Sequence, residues 1–481
     1  MTAFIDGGRG SRGLWRAARG SVALAAAAAL AIAPAGPANA ADRARWDTKV
    51  FAHVPAPGFP AHAYVRPDGT VFEGTYVNPN GDRLPSKVLA FDGAGKPAGE
   101  WTVTGQDLGA EHGVQVATSD AAGRLVLLDR TPSRALILDP KTGSIATYAE
   151  FPDVPICSSG APVTACQPTL HDSKPFADYA AWGPDGSLYV TDYAQAVIWK
   201  VPPGGGTPEI WLADRRLDGQ LFGTAGIALT ADEKGFLFTQ ASSLGVGGLA
   251  NPTTGKLYYV PFTVTGGPGG LEQRWESAAG SLPDGFAIAK SGAVYVAEVG
   301  LSAQLVRVAP DGTEERFPKT PGTGDNGSGV PFDSPSSAAF LGTRLIVANQ
   351  SAVAGTVANQ VLFDVEAAEP GLPELIPANA GPPVAPRTDA RDTRNGVAKR
   401  AGKRGLVVTL TRGVAGAPAR VRVTARGRTL GTGTLKRRTL RLTLRSGVAE
   451  LPRRWTIRPL KPGAKLAPTR VLSVPRSAAS R

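Results

Sequence analysis

The 481-residue sequence predicts an all-β chain: a six-bladed β-propeller followed by a small basic immunoglobulin-like β-sandwich. Two observations predict it. A unit made of a short apolar strand, a P-D-G-like turn and a second apolar strand recurs six times, at intervals of roughly 40–60 residues. Near the end, LVVTLT, ARVRVTARG, LRLTLRS, RWTIRP and RVLSV alternate apolar and polar residues with period two, as strands with one buried face do.

The chain opens on a basic stretch holding Arg9, Arg12, Arg16 and Arg19, followed by SVALAAAAALAIA and the small-x-small sequence Ala38-Asn39-Ala40. That order predicts a secretory signal peptide over 1–40, cut after Ala40, and a secreted mature chain. No later apolar run is long enough to span a bilayer. Cys157 and Cys166 are the two cysteines, and in an oxidising compartment they are expected to pair as a disulfide. With no second pair, they make a poor zinc site.

The six copies, over 41–377, read AYVRPDGTVFEGTYV, VQVATSDAAGRLVLLDR, YAAWGPDGSLYVTDY, GIALTADEKGFLFTQ, GFAIAKSGAVYVAEVG and SAAFLGTRLIVANQ. An outer strand such as KVLAFD, ALILDP or AVIWKVPP follows each. Gly69, Gly123, Gly186, Gly292 and Gly342 stand at the turns, where positive φ is needed, and the fourth copy has Lys234-Gly235 there. Radial repetition accommodates so many strands with few exposed edges. The segment 48–55 is expected to close the ring by supplying the outer strand of the last blade, with LPELIP, 372–377, as the competing candidate. The tryptophans, Trp182, Trp199 and Trp211 among them, fall on strand patterns and are expected to pack between blades.

Residues 378–404 are rich in Ala, Pro, Arg and Gly and read as a linker to the basic module at 405–481. Charge is split along the chain. Of the 52 Lys+Arg and 40 Asp+Glu, 25 basic and 3 acidic residues fall in 387–481, and 4 and 1 in the first 40 residues. Residues 41–386 therefore carry 23 basic and 36 acidic side chains. The overall net charge of +12 belongs to the tail. Outside a cell, such a module is expected to meet an anionic cell-surface polymer, which makes cell-wall association the expected location and nucleic acid an unlikely partner.

Two stretches, LPDGFAIAKSGAVYVAEVG at 282–300 and SPSSAAFLGTRLIVANQ at 334–350, resemble the regucalcin/gluconolactonase (senescence marker protein) family of six-bladed propellers. YAAWGPDGSLYVTDY and TAGIALTADEKGFLFTQ fit that family's repeat. The resemblance implies a lactone or ester hydrolase with a divalent cation in the central channel, held by a Glu, an Asn and the Asp of the P-D-G blade. Asp284 matches that Asp, whereas Ala225 and Ala61 stand at the Asn and Glu positions, and Asp178 at a substrate-facing Asn. Alanine offers no donor, and one Asp does not hold Ca²⁺, which takes six to eight oxygens.

Residues just before each innermost strand should converge on the channel mouth: His62, Glu111, His112, Asp178, Thr224, Asp284, Ser334 and Ser336. Three readings of this set stay open. His62, His112, Asp178 and Asp284 suit a transition metal such as Zn²⁺. Alternatively His112, Asp178 and Asp284 do catalytic work, with a His as general base toward water attacking an ester or lactone. Lastly, the set is a hydrogen-bonded plug. The expected function is thus a secreted gluconolactonase-like hydrolase; the alternative is a non-catalytic ligand- or protein-binding propeller tethered by its basic module.

Overall fold

The computed structural model describes residues 43–76, 81–158, 164–219, 222–243, 254–382, 393–401, 405–410, 419–425, 428–437, 439–445, 454–460 and 469–472. The signal-peptide reading for 1–40 lies outside the described residues. Strand β1 is Thr48–His53. Blade 1 then runs β2 (Tyr64–Val65), β3 (Val71–Gly74), β4 (Lys87–Phe91) and β5 (Pro97–Thr102). Blade 2 is β6 (Val114–Ser119), β7 (Leu125–Asp129), β8 (Arg134–Asp139) and β9 (Ser144–Glu150). Blade 3 is β10 (Ala177–Trp182), β11 (Leu188–Asp192), β12 (Val197–Val201) and β13 (Glu209–Ala213). Blade 4 is β14 (Thr224–Leu229), β15 (Gly235–Gln240), β16 (Thr254–Pro261) and β17 (Glu272–Ala279). Blade 5 is β18 (Pro283–Ile288), β19 (Val294–Glu298), β20 (Gln304–Val308) and β21 (Glu314–Phe317).

The sixth blade holds β22 (Pro335–Leu341), β23 (Arg344–Asn349) and β24 (Val361–Glu366), and β1 completes it by pairing antiparallel with β24. This is the expected closure by the N-terminal strand. Closure ties the segment leading into the first blade to the last blade, with β1 as the outer strand of that sheet. Each neighbouring pair of blades shares its own apolar cluster, from blades 1 and 2 (Tyr64, Phe72, Val116, Leu127) round to blades 6 and 1 (Phe51, Val71, Ile346, Leu362). Trp182 and Trp199 are fully buried in the cluster between blades 2 and 3, as expected of packing residues. The described residues contain two single-turn 3₁₀ helices, Arg215–Leu217 and Val357–Asn359.

Five turns use a glycine at φ between 70° and 87°. In the fourth copy the left-handed residue is Glu233 (φ 57°), not Gly235. Gly235 is needed for another reason: a Cβ there would sit 2.3 Å from the Val260 carbonyl oxygen across the blade. Cys157 and Cys166 form the expected disulfide.

LPELIP does not close the ring. It belongs to a strap over 368–382 that crosses the end of the propeller where the strand-joining turns lie. Lys290 N donates to Pro370 O and Leu372 N to Ile288 O. Glu374 takes the Thr118 hydroxyl at 2.5 Å. Ala121 N then bonds Ala380 O, Arg124 bonds Pro382 O at 2.6 Å, and Asn379 bonds Asp185 O at 2.9 Å. The strap thus runs from blade 5 across to blades 2 and 3, and 378–382, expected as linker, is part of it.

The C-terminal module is a closed seven-stranded barrel rather than an immunoglobulin-like sandwich. Its strands are β25 (Thr393–Ala401), β26 (Gly405–Leu410), β27 (Ala419–Ala425), β28 (Arg428–Lys436), β29 (Thr439–Leu444), β30 (Arg454–Pro459) and β31 (Thr469–Leu472), ordered β25-β26-β29-β28-β27-β30-β31. β25 lies within the stretch expected as linker. It closes the barrel by pairing antiparallel with β26 and parallel with β31. TRNGVAKRA has no apolar alternation, so nothing local marks it as a strand. Val408, Leu410, Val421, Val423, Leu440 and Ile457 fill the interior, while Arg420, Arg422, Arg441 and Arg458 stand exposed between them.

Candidate active site at the propeller axis

One hydrogen bond repeats in all six blades and sets the register of the channel. The residue after the second strand donates its N–H to the residue leading into the inner strand. The pairs are Tyr76 to Phe59, Arg130 to Gly113, Tyr193 to Phe176, Ala241 to Gly223, Val299 to Leu282 and Gln350 to Ser334. Two residues beyond each lead-in lie Ala61, Gln115, Asp178, Ala225, Asp284 and Ser336. These six form a ring around the axis. The expected channel-mouth set therefore held three of the ring positions, Asp178, Asp284 and Ser336, and the family resemblance placed Ala61 and Ala225; in blade 2 the residue is Gln115, not Glu111 or His112.

Local distortion aims this ring. Pairing of the inner strand slips between Ala177 and Ala180, Thr224 and Ile227, Pro283 and Phe286, and Pro335 and Ser337. Such bulges let two consecutive residues face the same way. Asp178 accepts from Gln115 Nε2 at 3.1 Å, while the next residue, Tyr179, sends its hydroxyl across the axis to Ser336 O, 2.9 Å away on the opposite blade. Gly285 makes room for it, since a Cβ there would lie 2.5 Å from that hydroxyl. His62 lies against Tyr179, the rings tilted by 38° with centroids 4.4 Å apart. These rings floor the well.

The ring holds two buried acids. Burial pushes Asp178 up to about 7, against the pull of the Gln115 hydrogen bond and the Arg130 charge. Asp284 is raised well above the usual carboxylate range, first by burial and then by the Asp178 charge. Its Oδ1 has no hydrogen-bond partner among the described residues. Nor do Gln115 Oε1, Thr224 Oγ1, Tyr76 Oη, Arg130 Nε or His62 Nδ1. Burial holds His62 neutral, its pKa down to about 3. Tyr76, Tyr179 and Tyr193 stay protonated for the same reason, helped by the nearby acids. The Arg130 guanidinium lies 3.5 Å over the Phe176 ring.

His112 lies elsewhere. Its Nδ1 faces Ala110 O and its Nε2 faces Leu84 O, both at 2.8 Å, with Asp82 at 3.4 Å. Loss of water works against its charge, but those carbonyls and that carboxylate outweigh it and raise its pKa. The ring is a bracket between two loops, not a base facing substrate. Glu111 is solvent-exposed at the rim, 3.6 Å from Arg130, and with His112 it lines a separate cavity of about 360 Å³. Ser336 Oγ is committed to Ala61 O at 2.8 Å. Ser334 is a buried lead-in residue at φ 57°. Thr224 is buried one residue before Ala225.

Sequence reasoning missed Tyr76, Arg130, Tyr193, Gln115 and Tyr179. It also missed Glu73, buried on β3, whose Oε1 takes the N–H groups of Ala61, His62 and Gly74. A signal existed: Tyr76, Arg130 and Tyr193 occupy one repeat position, just past the second strand.

The residues present do not fit the cation site of the resembling family. Ala61 and Ala225 are fully buried in the ring and carry no donor. Among the described residues no group of three or more His, Cys, Asp or Glu side chains is placed to hold a metal ion, the proposed Zn²⁺ set of His62, His112, Asp178 and Asp284 included. His112 is too far committed elsewhere to join the other three.

Fold and site define a six-bladed β-propeller whose axial well carries two buried carboxyl groups. Solved structures similar to the chain include a calcium-binding regucalcin from Agrobacterium tumefaciens, at 15% identity and a TM-score of 0.43 over 68% of this chain and 98% of that one. A gluconolactonase from Xanthomonas campestris aligns at 15% identity, TM-score 0.42, over 70% and 99%. A virginiamycin B lyase from Staphylococcus aureus aligns at 15%, TM-score 0.38, over 76% and 95%. No protein-family model matches the sequence, and no curated protein matches it.

Proposed function

We propose that the chain is a hydrolase of carboxylic esters, lactones included, working at the axial well. One observation carries this reading. Two buried acids face the same space, Asp178 with Arg130 as its counter-charge and Asp284 with no cation acting on it. Environments that separate two carboxyls in this way divide the roles of base and acid. Ionised Asp178 takes a proton from water as the water oxygen bonds to the ester carbonyl carbon. The charge that develops on the carbonyl oxygen is met by donors with nothing else to bond, Tyr76 Oη and Arg130 Nε. The carbon–oxygen ester bond then breaks, and protonated Asp284 gives its proton to the leaving alkoxide. Proton transfer from Asp178 to Asp284 restores the starting state.

The test is a panel of lactones and simple esters with the full chain and with Asp284→Asn and Asp178→Asn. Removing either partner of an acid–base pair costs on the order of 10²–10⁴ in rate. Wild-type turnover should fall on an acid limb near pH 7 as Asp178 gains its proton. Unchanged turnover in both variants would remove the well from the mechanism. We further propose that the protein is secreted and that its basic barrel holds it to an anionic surface polymer. The support is the pairing of Arg422 directly opposite Arg458, both exposed, since like charges across a ladder destabilise it unless a polyanion offsets them.

A further inference from the structure

The axial well opens at one end only in terms of chemistry: the strap covers the other. Loops that lead into inner strands, and loops joining second to third strands, share the open end, because antiparallel strands alternate in direction. Of the exposed large apolar residues described, all but Val264 lie in these loops. The most exposed among them are Leu301 at 76%, Val353 at 69% and Val357 at 69%, on blades 5 and 6. Their loops, 299–303 and 350–360, and the lead-in 280–282, contain no charged residue. Facing them, the rim of blades 1–3 carries Asp82, Arg83, Glu111 and Arg130. The wall beneath repeats the split, with Tyr76, Arg130 and Tyr193 on blades 1–3 and Ala241, Val299 and Gln350 at the equivalent positions on blades 4–6.

These apolar residues are held in place, not merely exposed. The N–H groups of Val299, Gly300 and Leu301 bond to Leu282, Ser281 and Gly280, the segment that leads directly to Asp284. Buried Asp333 accepts from Ser351 Oγ at 2.7 Å and from the N–H groups of Val353 and Ala354, and it precedes Ser334 and Ser336. Each loop is thus bonded to the strand entrance that builds the well. Fixed presentation of exposed apolar side chains beside a polar well marks a contact surface.

Resting on the reading of the well as a ligand site, we infer that this arc of Leu301, Val353 and Val357 receives the apolar arm of an amphiphilic substrate whose polar head enters at Asp284. The occupant is a small molecule because the arc is small, three exposed side chains on the loops of two neighbouring blades. A stable protein interface needs roughly 800 Å² from each partner, far more than three side chains supply.

The experiment uses the full chain with two readouts. Turnover of 4-nitrophenyl acetate and hexanoate gives a chain-length ratio in kcat/KM. Calorimetric titration with acetamide and hexanamide gives the same ratio in Kd without chemistry. A hexanoyl preference of about tenfold or more is expected in each, since each buried methylene contributes severalfold. Leu301→Ser/Val353→Ser should abolish the preference, and Val264→Ser, at the opposite end, should keep it. Turnover that depends on Asp284 but shows no chain-length ratio overturns the inference and leaves the hydrolase reading standing. A hexanamide preference lost in the double variant, without turnover of any ester, does the reverse. A third measurement, co-sedimentation with phosphatidylcholine–phosphatidylglycerol vesicles, assigns the arc to a lipid surface and overturns the inference if the double variant loses it with hexanamide affinity unchanged.

Discussion

Single residues show how burial converts a charge into a proton store. Glu73 is buried, and burial lifts its pKa from 4.5 to about 8 despite three N–H donors on Oε1. A raised carboxyl pKa means that the folded state binds the proton more tightly than the unfolded one. Its contribution to stability is therefore full below about pH 4.5 and is lost as pH rises to about 8. Glu73→Gln keeps the acceptor and removes the titration. Thermal melts should show the variant gaining on wild type as pH rises through that window, with a constant gap above it. A gap that does not change between pH 5 and 9 would mean that Glu73 is ionised in the fold. The residue scale also corrects the expectation for His112: polarity and position in the chain suggested a base, but two carbonyl oxygens at 2.8 Å occupy both ring nitrogens.

At the level of elements, the inner strands were readable and their bulges were not. A bulge is a mismatch between two strands, so it depends on the partner's register rather than on either sequence. Threonines help to hold the bulged backbone: Thr191 Oγ1 accepts Tyr179 N at 3.0 Å, and Thr239 Oγ1 donates to Asp284 O at 2.5 Å. The strap is the other element the sequence hid. LPELIP looked like a strand because it is apolar and short, yet its partners, Ile288 O and the Thr118 hydroxyl, stand on the inner strands of two different blades. Its removal is testable. A chain ending after Ala367 loses the strap's hydrogen bonds, each contributing about 1 kcal/mol. It should therefore melt several degrees below a chain ending after Pro382. Equal melting temperatures would show that the strap only rests on the propeller.

For the whole molecule, charge and topology act together. The 41–386 stretch is acidic overall and the tail strongly basic, and the barrel displays Arg420, Arg422, Arg441 and Arg458 on its outer face. Register places Arg422 opposite Arg458, and Arg420 and Arg441 either side of Thr434. A polyanion spanning this stripe should release counterions, so adhesion should fall steeply with salt. Full-length protein should elute from a heparin or teichoic-acid-like matrix at higher salt than a 43–382 chain, and Arg422→Ser/Arg458→Ser should elute in between. Elution of all three together at low salt would leave the charge as a solvated surface.

By itself the sequence determined the number of blades, the closing strand and the disulfide. Turn residues and period-two alternation are local properties, and six copies repeat them. Asp178, Asp284 and Ser336 were also legible, since each stands at the start of a recognisable inner strand, while Ala61 and Ala225 were placed by the family resemblance. Gln115 was not legible because it stands inside the strand VQVATS, with nothing in its neighbours to mark it as facing the axis. Only the tertiary structure decided which side chains share the well. Ring closure brings six lead-ins to one axis, and bulges choose which of two neighbouring residues faces it. The barrel's first strand and the strap were likewise decided by pairing with distant segments, because neither TRNGVAKRA nor LPELIP carries in its own residues the partner that orders it.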